Sequence, residues 1–165
     1  MMNEKFKKFF EHKIFLVCGG CGFMGSNFIY YLLNNFKGVK IINLDLLTYA
    51  GNKENLKGIS SSQYSFFKGD ICDAKLVQKL MAKVDFVVNF AAETHVDLSI
   101  HGNSDSFIKT NITGVHSILK ALRTSPNVEK MAHISTDEVW GDLSLTSKNK
   151  FNENSLLKPS SPYSA

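Results

Sequence analysis

Short apolar runs alternate with longer amphipathic stretches along this chain of 165 residues. The apolar runs are rich in β-branched or aromatic residues and are bounded by polar residues and glycines, which is typical of buried strands. They predict strands at Lys13–Val17, Lys40–Leu44, Tyr64–Lys68, Asp85–Phe90 and Lys130–Ser135. Apolar residues at helical spacing predict helices at Phe23–Asn35, Asp73–Ala82 and Ser104–Thr124.

The alternation of strands and helices indicates a parallel sheet, because parallel neighbours need a crossover connection and a helix usually provides it. Right-handed crossovers place helices on both faces of the sheet. The predicted fold is therefore α/β, a doubly wound parallel sheet of Rossmann type, with residues 1–165 forming one domain. Such sheets bind ligands beyond the carboxyl ends of their strands.

Composition excludes several classes of function. Hydrophobic residues make up 44% and charged residues 21%, and the net charge of +4 is spread thinly, with no basic stripe for nucleic acid. No apolar run is long enough for a membrane span. Because the basic stripe and the membrane span are both missing from the sequence, we expect neither a nucleic-acid nor a membrane partner. The five histidines lack metal-ligand spacing, so we expect no metal site. Three cysteines cannot all form disulfide pairs, which favours a cytoplasmic location.

A glycine-rich turn, GGCGFMG at 19–25, follows the first predicted strand. It matches G-x-G-x-x-G through Gly20, Gly22 and Gly25, and G-x-x-G-x-x-G through Gly19, Gly22 and Gly25. Glycines let a pyrophosphate approach the backbone, and the helix that follows offers unpaired N–H groups and a partial positive charge. The position of the motif between a strand and a helix favours a dinucleotide site.

Asp45 ends the second predicted strand, twenty residues after Gly25. A carboxylate there accepts hydrogen bonds from a ribose diol and repels a 2′-phosphate. No arginine lies nearby in the sequence to bind that phosphate. We therefore expect NAD rather than NADP as the cofactor.

Cys18 and Cys21 form a competing C-x-x-C motif after a strand and at the start of a helix. Thioredoxin-like redox proteins place their cysteines in this way, because a helix N-terminus lowers the pKa of a thiol. This interpretation predicts a depressed pKa for Cys18. It leaves Gly22, Gly25 and Asp45 unexplained.

Four stretches and the final SPYSA (161–165) carry a family resemblance: GGCGFMGSN (19–27), NLDLLTYAGN (43–52), NFAAETHVDLSI (89–100) and HISTDEVWGDL (133–143). On these motifs the chain resembles the extended short-chain dehydrogenase/reductases, and among them the dTDP-glucose or UDP-glucose 4,6-dehydratases. The acidic pair in S-T-D-E-V separates these dehydratases from related epimerases. The resemblance implies a lyase that uses NAD.

The resemblance also implies which residues contact the ligands. Cofactor-binding positions would be Gly19, Gly22, Phe23, Met24 and Gly25 at the pyrophosphate, Asp45, Leu46, Leu47 and Thr48 at the ribose, Asp70 and Ile71 at the adenine, and Phe90, Ala91, Ala92 and Thr110 along the rest of the cofactor. Thr94 and Thr136 would contact the sugar nucleotide.

In the implied reaction, hydride leaves the sugar C4 for NAD⁺ while Tyr163 takes the proton of the C4 hydroxyl. The resulting ketone acidifies the C5 proton. Glu138 would remove that proton and Asp137 would protonate the departing C6 hydroxyl, with Thr136 beside them as a further catalytic residue. Two carboxyl groups are needed because one cannot easily act as base and acid at once. The hydride then returns to C6, which regenerates NAD⁺.

The family pairs its tyrosine with a lysine in Tyr-x-x-x-Lys, and from Tyr163 that lysine would be residue 167, beyond Ala165. We therefore expect an N-terminal part that lacks the last strands and the substrate domain, has an exposed sheet edge, and cannot turn over by itself. For the full-length protein the resemblance implies a homodimer. It leaves the choice between dTDP and UDP open.

Two other functions remain open from the sequence: a non-catalytic NAD-binding module, and a related nucleotide-sugar epimerase or decarboxylase. Three residues also depart from the family pattern. Cys18 replaces the usual threonine, Trp140 the usual tyrosine, and Leu98 a frequent arginine. Trp140 and Leu98 put the shape of the sugar pocket and its contacts in doubt.

Overall fold

The computed structural model describes residues 4–60 and 62–165. Within them, five strands form one parallel sheet in the order β3-β2-β1-β4-β5. The strands are β1 Ile14–Cys18, β2 Lys40–Asp45, β3 Tyr64–Lys68, β4 Phe86–Asn89 and β5 Lys130–His133. The chain moves outward from β1 on one side, then returns to pair β4 on the other, so β1 lies at the switch point where such sheets bind ligands.

The helices of the described residues connect and cover these strands. They are α1 Glu4–Phe10, α2 Phe23–Asn35, α3 Ala74–Met81, α4 Val96–His101, and a long α5 built from Asp105–Phe107, a π-helical segment Ile108–Gly114, and Val115–Leu122. Short 3₁₀ turns occupy Lys53–Leu56 and Asp137–Trp140. Among residues 4–60 and 62–165, no helix combines the length and apolarity needed to cross a bilayer.

The hydrophobic core has two layers, one on each face of the sheet. Along β1, Phe15 and Val17 point into the layer that α2 covers, whereas Leu16 and Cys18 point into the layer that α3 and α5 cover. This alternation follows from the two-residue period of a strand. Each fully buried aliphatic side chain contributes about 1.5–3 kcal/mol of transfer free energy. The doubly wound parallel sheet expected from the sequence is confirmed.

Helix α1, which the sequence pattern did not predict, closes the amino ends of the strands. The ring of Phe10 lies 6.0 Å from that of Phe15, 5.4 Å from that of Phe36 and 5.3 Å from that of Phe86. These partners come from three separate parts of the chain. The packing therefore anchors α1 at the end of the sheet opposite to the strand ends that form the candidate site.

Candidate functional site

A cleft of about 590 Å³, called here the first cleft, opens at the carboxyl ends of the strands. The ends of β1 to β4, or the turns after them, all contribute to its wall. Residues predicted to bind the cofactor that line it are Gly19, Gly22, Asp45, Leu46, Thr48, Asp70, Ile71, Phe90, Ala91, Ala92 and Thr110. The other predicted positions, Phe23, Met24, Gly25 and Leu47, are not part of the wall.

The glycine turn is packed so tightly that most of its glycines are required by the protein itself. Gly19 has a φ of +75°, and a Cβ there would lie 2.6 Å from the backbone nitrogen of Ala91. A Cβ at Gly20 would overlap the side chain of Asn43, and one at Gly25 would overlap the carbonyl oxygen of Gly19. Because Gly20 faces Asn43 while Gly19 and Gly22 line the first cleft, the structure favours the G-x-x-G-x-x-G frame.

Gly22 differs from its neighbours because, among the described residues, no atom lies close enough to exclude a side chain there. Its φ of −74° and ψ of 174° suit any residue. The nearest atom to an added Cβ would be the carbonyl oxygen of Gly19 at 3.4 Å, an ordinary contact distance. A side chain at this position would extend into space that belongs to the first cleft.

Asp45, the last residue of β2, fastens the glycine turn through its carboxylate. Oδ2 accepts a hydrogen bond of 2.8 Å from the N–H of Cys21, and Oδ1 accepts one of 2.8 Å from the N–H of Leu47. The residue is 8% exposed and lines the first cleft. An ionised carboxylate has about four acceptor positions, so Asp45 keeps capacity for further donors.

Because both oxygens of the Asp45 carboxylate accept a backbone N–H, Asp45→Asn should strongly lower the stability of the fold. The amide keeps one acceptor oxygen and turns an NH₂ group toward the N–H of either Cys21 or Leu47, which leaves a buried donor unsatisfied. We expect the free energy of unfolding to fall by about 1–3 kcal/mol in urea denaturation. Exposed Asp97 gives the matched control, since Asp97→Asn removes a charge at the surface. Equal stability of Asp45→Asn and the wild-type chain would contradict the role of the Asp45 carboxylate in holding the glycine turn.

The sequence analysis did not identify Asn43, a residue of β2 that hydrogen-bonds to the glycine turn. It is fully buried in β2, and its Oδ1 accepts a hydrogen bond of 3.1 Å from the N–H of Gly20. Its Nδ2 donates to the hydroxyl of Tyr64 at 2.8 Å and to the sulfur of Cys21 at 3.4 Å. The available signal was an amide inside an otherwise apolar strand, because buried polar groups require partners.

The carboxylate of Asp70, in the wall of the first cleft, is held by two partners. It accepts a hydrogen bond of 2.9 Å from the N–H of Cys72 and pairs with the ammonium of Lys109 at 3.1 Å. Partial burial opposes ionisation of Asp70. The Cys72 hydrogen bond and the Lys109 charge outweigh that effect, so the pKa of the carboxyl is lowered. The pair joins the loop after β3 to the π-helical segment of α5.

The two cysteines of the C-x-x-C motif are free and fully buried. Burial, with the nearby charge of Asp45, raises the pKa of Cys18 to about 12. Burial also raises the pKa of Cys21. The depressed pKa that a thioredoxin-like function predicts for Cys18 is therefore absent.

Alkylation of the folded chain tests this point directly. A thiol with a pKa of about 12 is ionised in about one molecule in ten thousand at pH 8. We expect iodoacetamide to leave Cys18 and Cys21 unmodified in the native protein and to label both in urea, as read by mass spectrometry. Rapid native labelling of Cys18 would restore the redox alternative.

A second cleft, of about 600 Å³, adjoins the first and shares Ala91 and Ala92 with it. Thr136 and Tyr163, both predicted as catalytic, line this second cleft. The backbone N–H of Tyr163 donates to Ser99 Oγ at 3.3 Å, which fixes the tyrosine against α4.

The predicted acids Asp137 and Glu138 follow Thr136 in the 3₁₀ turn but do not line the second cleft. Thr136 caps this turn, because its Oγ1 accepts a hydrogen bond of 3.3 Å from the N–H of Glu138. Thr94, predicted to contact substrate, is exposed and lines neither cleft. Trp140 stacks on Phe151, with 5.8 Å between ring centroids, in a separate groove.

Comparisons with known proteins show which family the chain resembles. Residues 16–165 match the family model described as GDP-mannose 4,6 dehydratase. The dTDP-glucose 4,6-dehydratase of Mycolicibacterium smegmatis is 45% identical over 150 residues, which are 91% of this chain and 44% of that protein. The chain therefore spans about half the length of the curated relatives it matches.

Solved structures show the same similarity. A dTDP-glucose 4,6-dehydratase from Bacillus anthracis in complex with NAD is 40% identical with a TM-score of 0.80, over 92% of this chain and 46% of that one. The dTDP-glucose 4,6-dehydratase DesIV from Streptomyces venezuelae, with NAD and TYD bound, is 40% identical with a TM-score of 0.83, over 92% of this chain and 47% of that one.

Proposed function

The chain belongs to the GDP-mannose 4,6-dehydratase family, and from this premise we propose that it is the N-terminal, NAD-binding part of a dTDP-glucose 4,6-dehydratase. The complete protein would convert dTDP-glucose to dTDP-4-keto-6-deoxyglucose. The support for dTDP is the similarity to named dTDP-glucose dehydratases, and UDP-glucose is the alternative substrate. The free cysteines favour a cytoplasmic location, and we propose a homodimer for the full-length protein.

The observation that carries the proposal is the glycine at position 22. The protein itself would accept a side chain there, so the glycine is explained by a ligand that approaches the backbone. A pyrophosphate is the ligand chemistry that fits, because the site lies at the start of α2, a helix of 13 residues. Asp45 lines the same cleft, where a ribose diol would donate to it.

The hydrogen bonds of the turn show which amides can meet a pyrophosphate. The N–H groups of residues 19, 20, 21 and 22 donate to protein acceptors, namely Leu44 O, Asn43 Oδ1, Asp45 Oδ2 and Gly19 O. The first intrahelical acceptor, Gly22 O, is used by Ser26 N–H. The amides of the first turn, at Phe23, Met24 and Gly25, precede that bond and have no intrahelical partner. We assign these amides to the phosphates; they follow Gly22, which lines the first cleft, although Phe23, Met24 and Gly25 themselves do not.

NAD, when bound, would supply the hydride acceptor for the oxidation of the sugar at C4 and the hydride donor for the reduction at C6 that completes the reaction. Tyr163, in the second cleft, would take the proton of the C4 hydroxyl, and Thr136 would bind the sugar beside it. Glu138 would then remove the C5 proton, and Asp137 would protonate the departing C6 hydroxyl. The backbone N–H of Glu138 donates to Thr136 Oγ1 at 3.3 Å, and the Thr136 hydroxyl donates to Asp137 Oδ1 at 3.5 Å, so Thr136 holds the turn that carries both acids.

Calorimetric titration of the 165-residue chain with NAD⁺ and NADP⁺ tests the cofactor part of the proposal. We expect NAD⁺ to bind, and NADP⁺ to bind at least about tenfold more weakly because Asp45 faces the ribose and repels a 2′-phosphate. A folded chain that gives no heat with NAD⁺ would refute it. Equal affinity for the two cofactors would contradict only the role of Asp45.

A further inference from the structure

Asn89 and His133 are the last residues of neighbouring strands and lie directly opposite each other. Asn89 ends β4, His133 ends β5, and the two are paired in the parallel register. Asn89 is fully buried, whereas His133 is exposed and lines the second cleft. Their side chains are joined by a contact of 3.1 Å between Asn89 Nδ2 and His133 Nδ1.

The orientation of the Asn89 amide is fixed by the backbone of Ala91. Asn89 Oδ1 accepts a hydrogen bond of 3.2 Å from Ala91 N–H, and Nδ2 lies 3.4 Å from Ala91 O. A reversed amide would turn its NH₂ group toward the N–H of Ala91, donor against donor. Nδ2 must therefore face His133 and donate to it.

This orientation determines the role of the histidine nitrogen. Because Asn89 Nδ2 donates, Nδ1 of His133 is the acceptor of this hydrogen bond. An N–H group on Nδ1 would lie against the Asn89 NH₂.

Ala91 is the residue that this arrangement holds in place. It lines both clefts, and its backbone packs directly on the glycine turn, since a Cβ at Gly19 would lie 2.6 Å from its nitrogen. Movement of Ala91 would change the wall where the two clefts meet. In the proposed function, the reacting ends of cofactor and sugar would have to meet at this wall.

We propose that Asn89 and His133 are a pair of positioning residues, in which the Asn89 amide bridges the Ala91 backbone and His133 Nδ1 and so holds Ala91 at the junction of the two clefts. This inference rests on the proposed function, because it assigns the pair to the alignment of NAD with the sugar nucleotide.

Three variants of the 165-residue chain separate this role from a general effect of the ring. His133→Ala removes the acceptor. His133→Asn restores it, because Oδ1 of asparagine occupies the position of Nδ1 on the same side-chain carbon. His116→Ala is the matched control, since His116 is an exposed histidine on α5 that lines neither cleft.

We expect His133→Ala to weaken NAD⁺ binding in calorimetry about fivefold, the worth of one neutral hydrogen bond. His133→Asn should recover to within about twofold of the wild-type affinity, and His116→Ala should match the wild type. Wild-type affinity in His133→Ala would overturn the inference. Equal losses in His133→Ala and His133→Asn would also overturn it, because they would assign the effect to the ring and not to the acceptor.

A measurement without cofactor keeps this test separate from the proposed function. In ¹⁵N NMR spectra of the free chain, His133 Nδ1 should show the shift of an unprotonated ring nitrogen, identified by its loss in His133→Asn. The Ala91 amide resonance should move in His133→Ala and return in His133→Asn. A protonated Nδ1, or an unmoved Ala91 amide, would overturn the pairing even if NAD⁺ binds. Absence of NAD⁺ binding with the expected spectra would instead count against the proposed function alone.

Discussion

Gly22→Ala is expected to leave the fold intact and to remove most of the NAD⁺ binding. Alanine adopts the backbone angles of Gly22 without strain, and its Cβ would meet only the carbonyl oxygen of Gly19 at 3.4 Å. The replacement restricts the unfolded chain, but glycine is preferred to alanine at this N-cap position, so the two effects oppose each other and the free energy of unfolding should change by less than about 1 kcal/mol. The added methyl group would lie where the pyrophosphate must approach the backbone.

Steric overlap of this kind costs about 1–3 kcal/mol, which corresponds to roughly a fivefold to 150-fold loss of NAD⁺ affinity. Gly22→Val, with a larger side chain, should bind more weakly still. Calorimetry measures the affinity, and thermal unfolding without cofactor measures the stability. Gly22→Ala with wild-type affinity would remove the observation on which the proposed function depends.

Gly25→Ala gives the contrast, because there the glycine is required by the protein. Its Cβ would overlap the carbonyl oxygen of Gly19 and lie 2.8 Å from Gly20 Cα. Both contacts are with backbone atoms, which cannot rotate away. The variant should therefore lose about 1–3 kcal/mol of unfolding free energy as well as NAD⁺ binding. The two variants together distinguish a glycine kept for a ligand from one kept for packing.

The fold could be predicted from sequence where the local sequence pattern and the packing in the folded protein favour the same element. Apolar runs gave all five strands within one or two residues, and Asp73, the first residue of a predicted helix, caps α3 by accepting from the N–H groups of Lys75 and Leu76. Helix α4 had no such signal, since it starts after His95 with a φ of 90°. Helix α1 is held by Phe36 and Phe86, which are distant in sequence.

The sequence predicted the glycine turn and Asp45, but it did not predict the side chains that hold the walls of the site in place. The glycine turn and Asp45 follow a spacing that reflects the strand–turn–helix path, so the sequence placed them on one cleft. Asn43 and Asn89 act through partners on neighbouring strands, and no linear spacing reveals such pairs. Thr94 and Trp140 lie in loops, whose paths depend on packing that a single sequence does not encode locally.

The largest effect is expected for Glu138→Gln in a protein of full family length that carries this chain. The substitution removes the base proposed for C5 and keeps the shape of the side chain. The N–H of Glu138 donates to Thr136 Oγ1 through the backbone, so the turn should be unchanged. Loss of a general base lowers the rate of its step by on the order of 10²–10⁴.

The expected result is a separation of oxidation from elimination. With dTDP-glucose, Glu138→Gln should still oxidise C4, seen as absorbance of the reduced cofactor, but it should lose C5 proton exchange with deuterated solvent and form almost no 4-keto-6-deoxy product. Asp137→Asn should keep C5 exchange and slow only the loss of the C6 hydroxyl. Asp142→Asn is the matched control, because Asp142 is an exposed acid in the following loop and lines a separate groove.

Each alternative function predicts a different outcome for the same variants. An epimerase would tolerate Glu138→Gln, because inversion at C4 needs no base at C5. A non-catalytic NAD-binding module would oxidise no sugar even with Glu138 present. Product formation at the wild-type rate by Glu138→Gln would therefore contradict the assignment of the C5 base. Since Glu138 does not line the second cleft in the structure, such a result would mean that another group near Tyr163 and Thr136 removes the C5 proton.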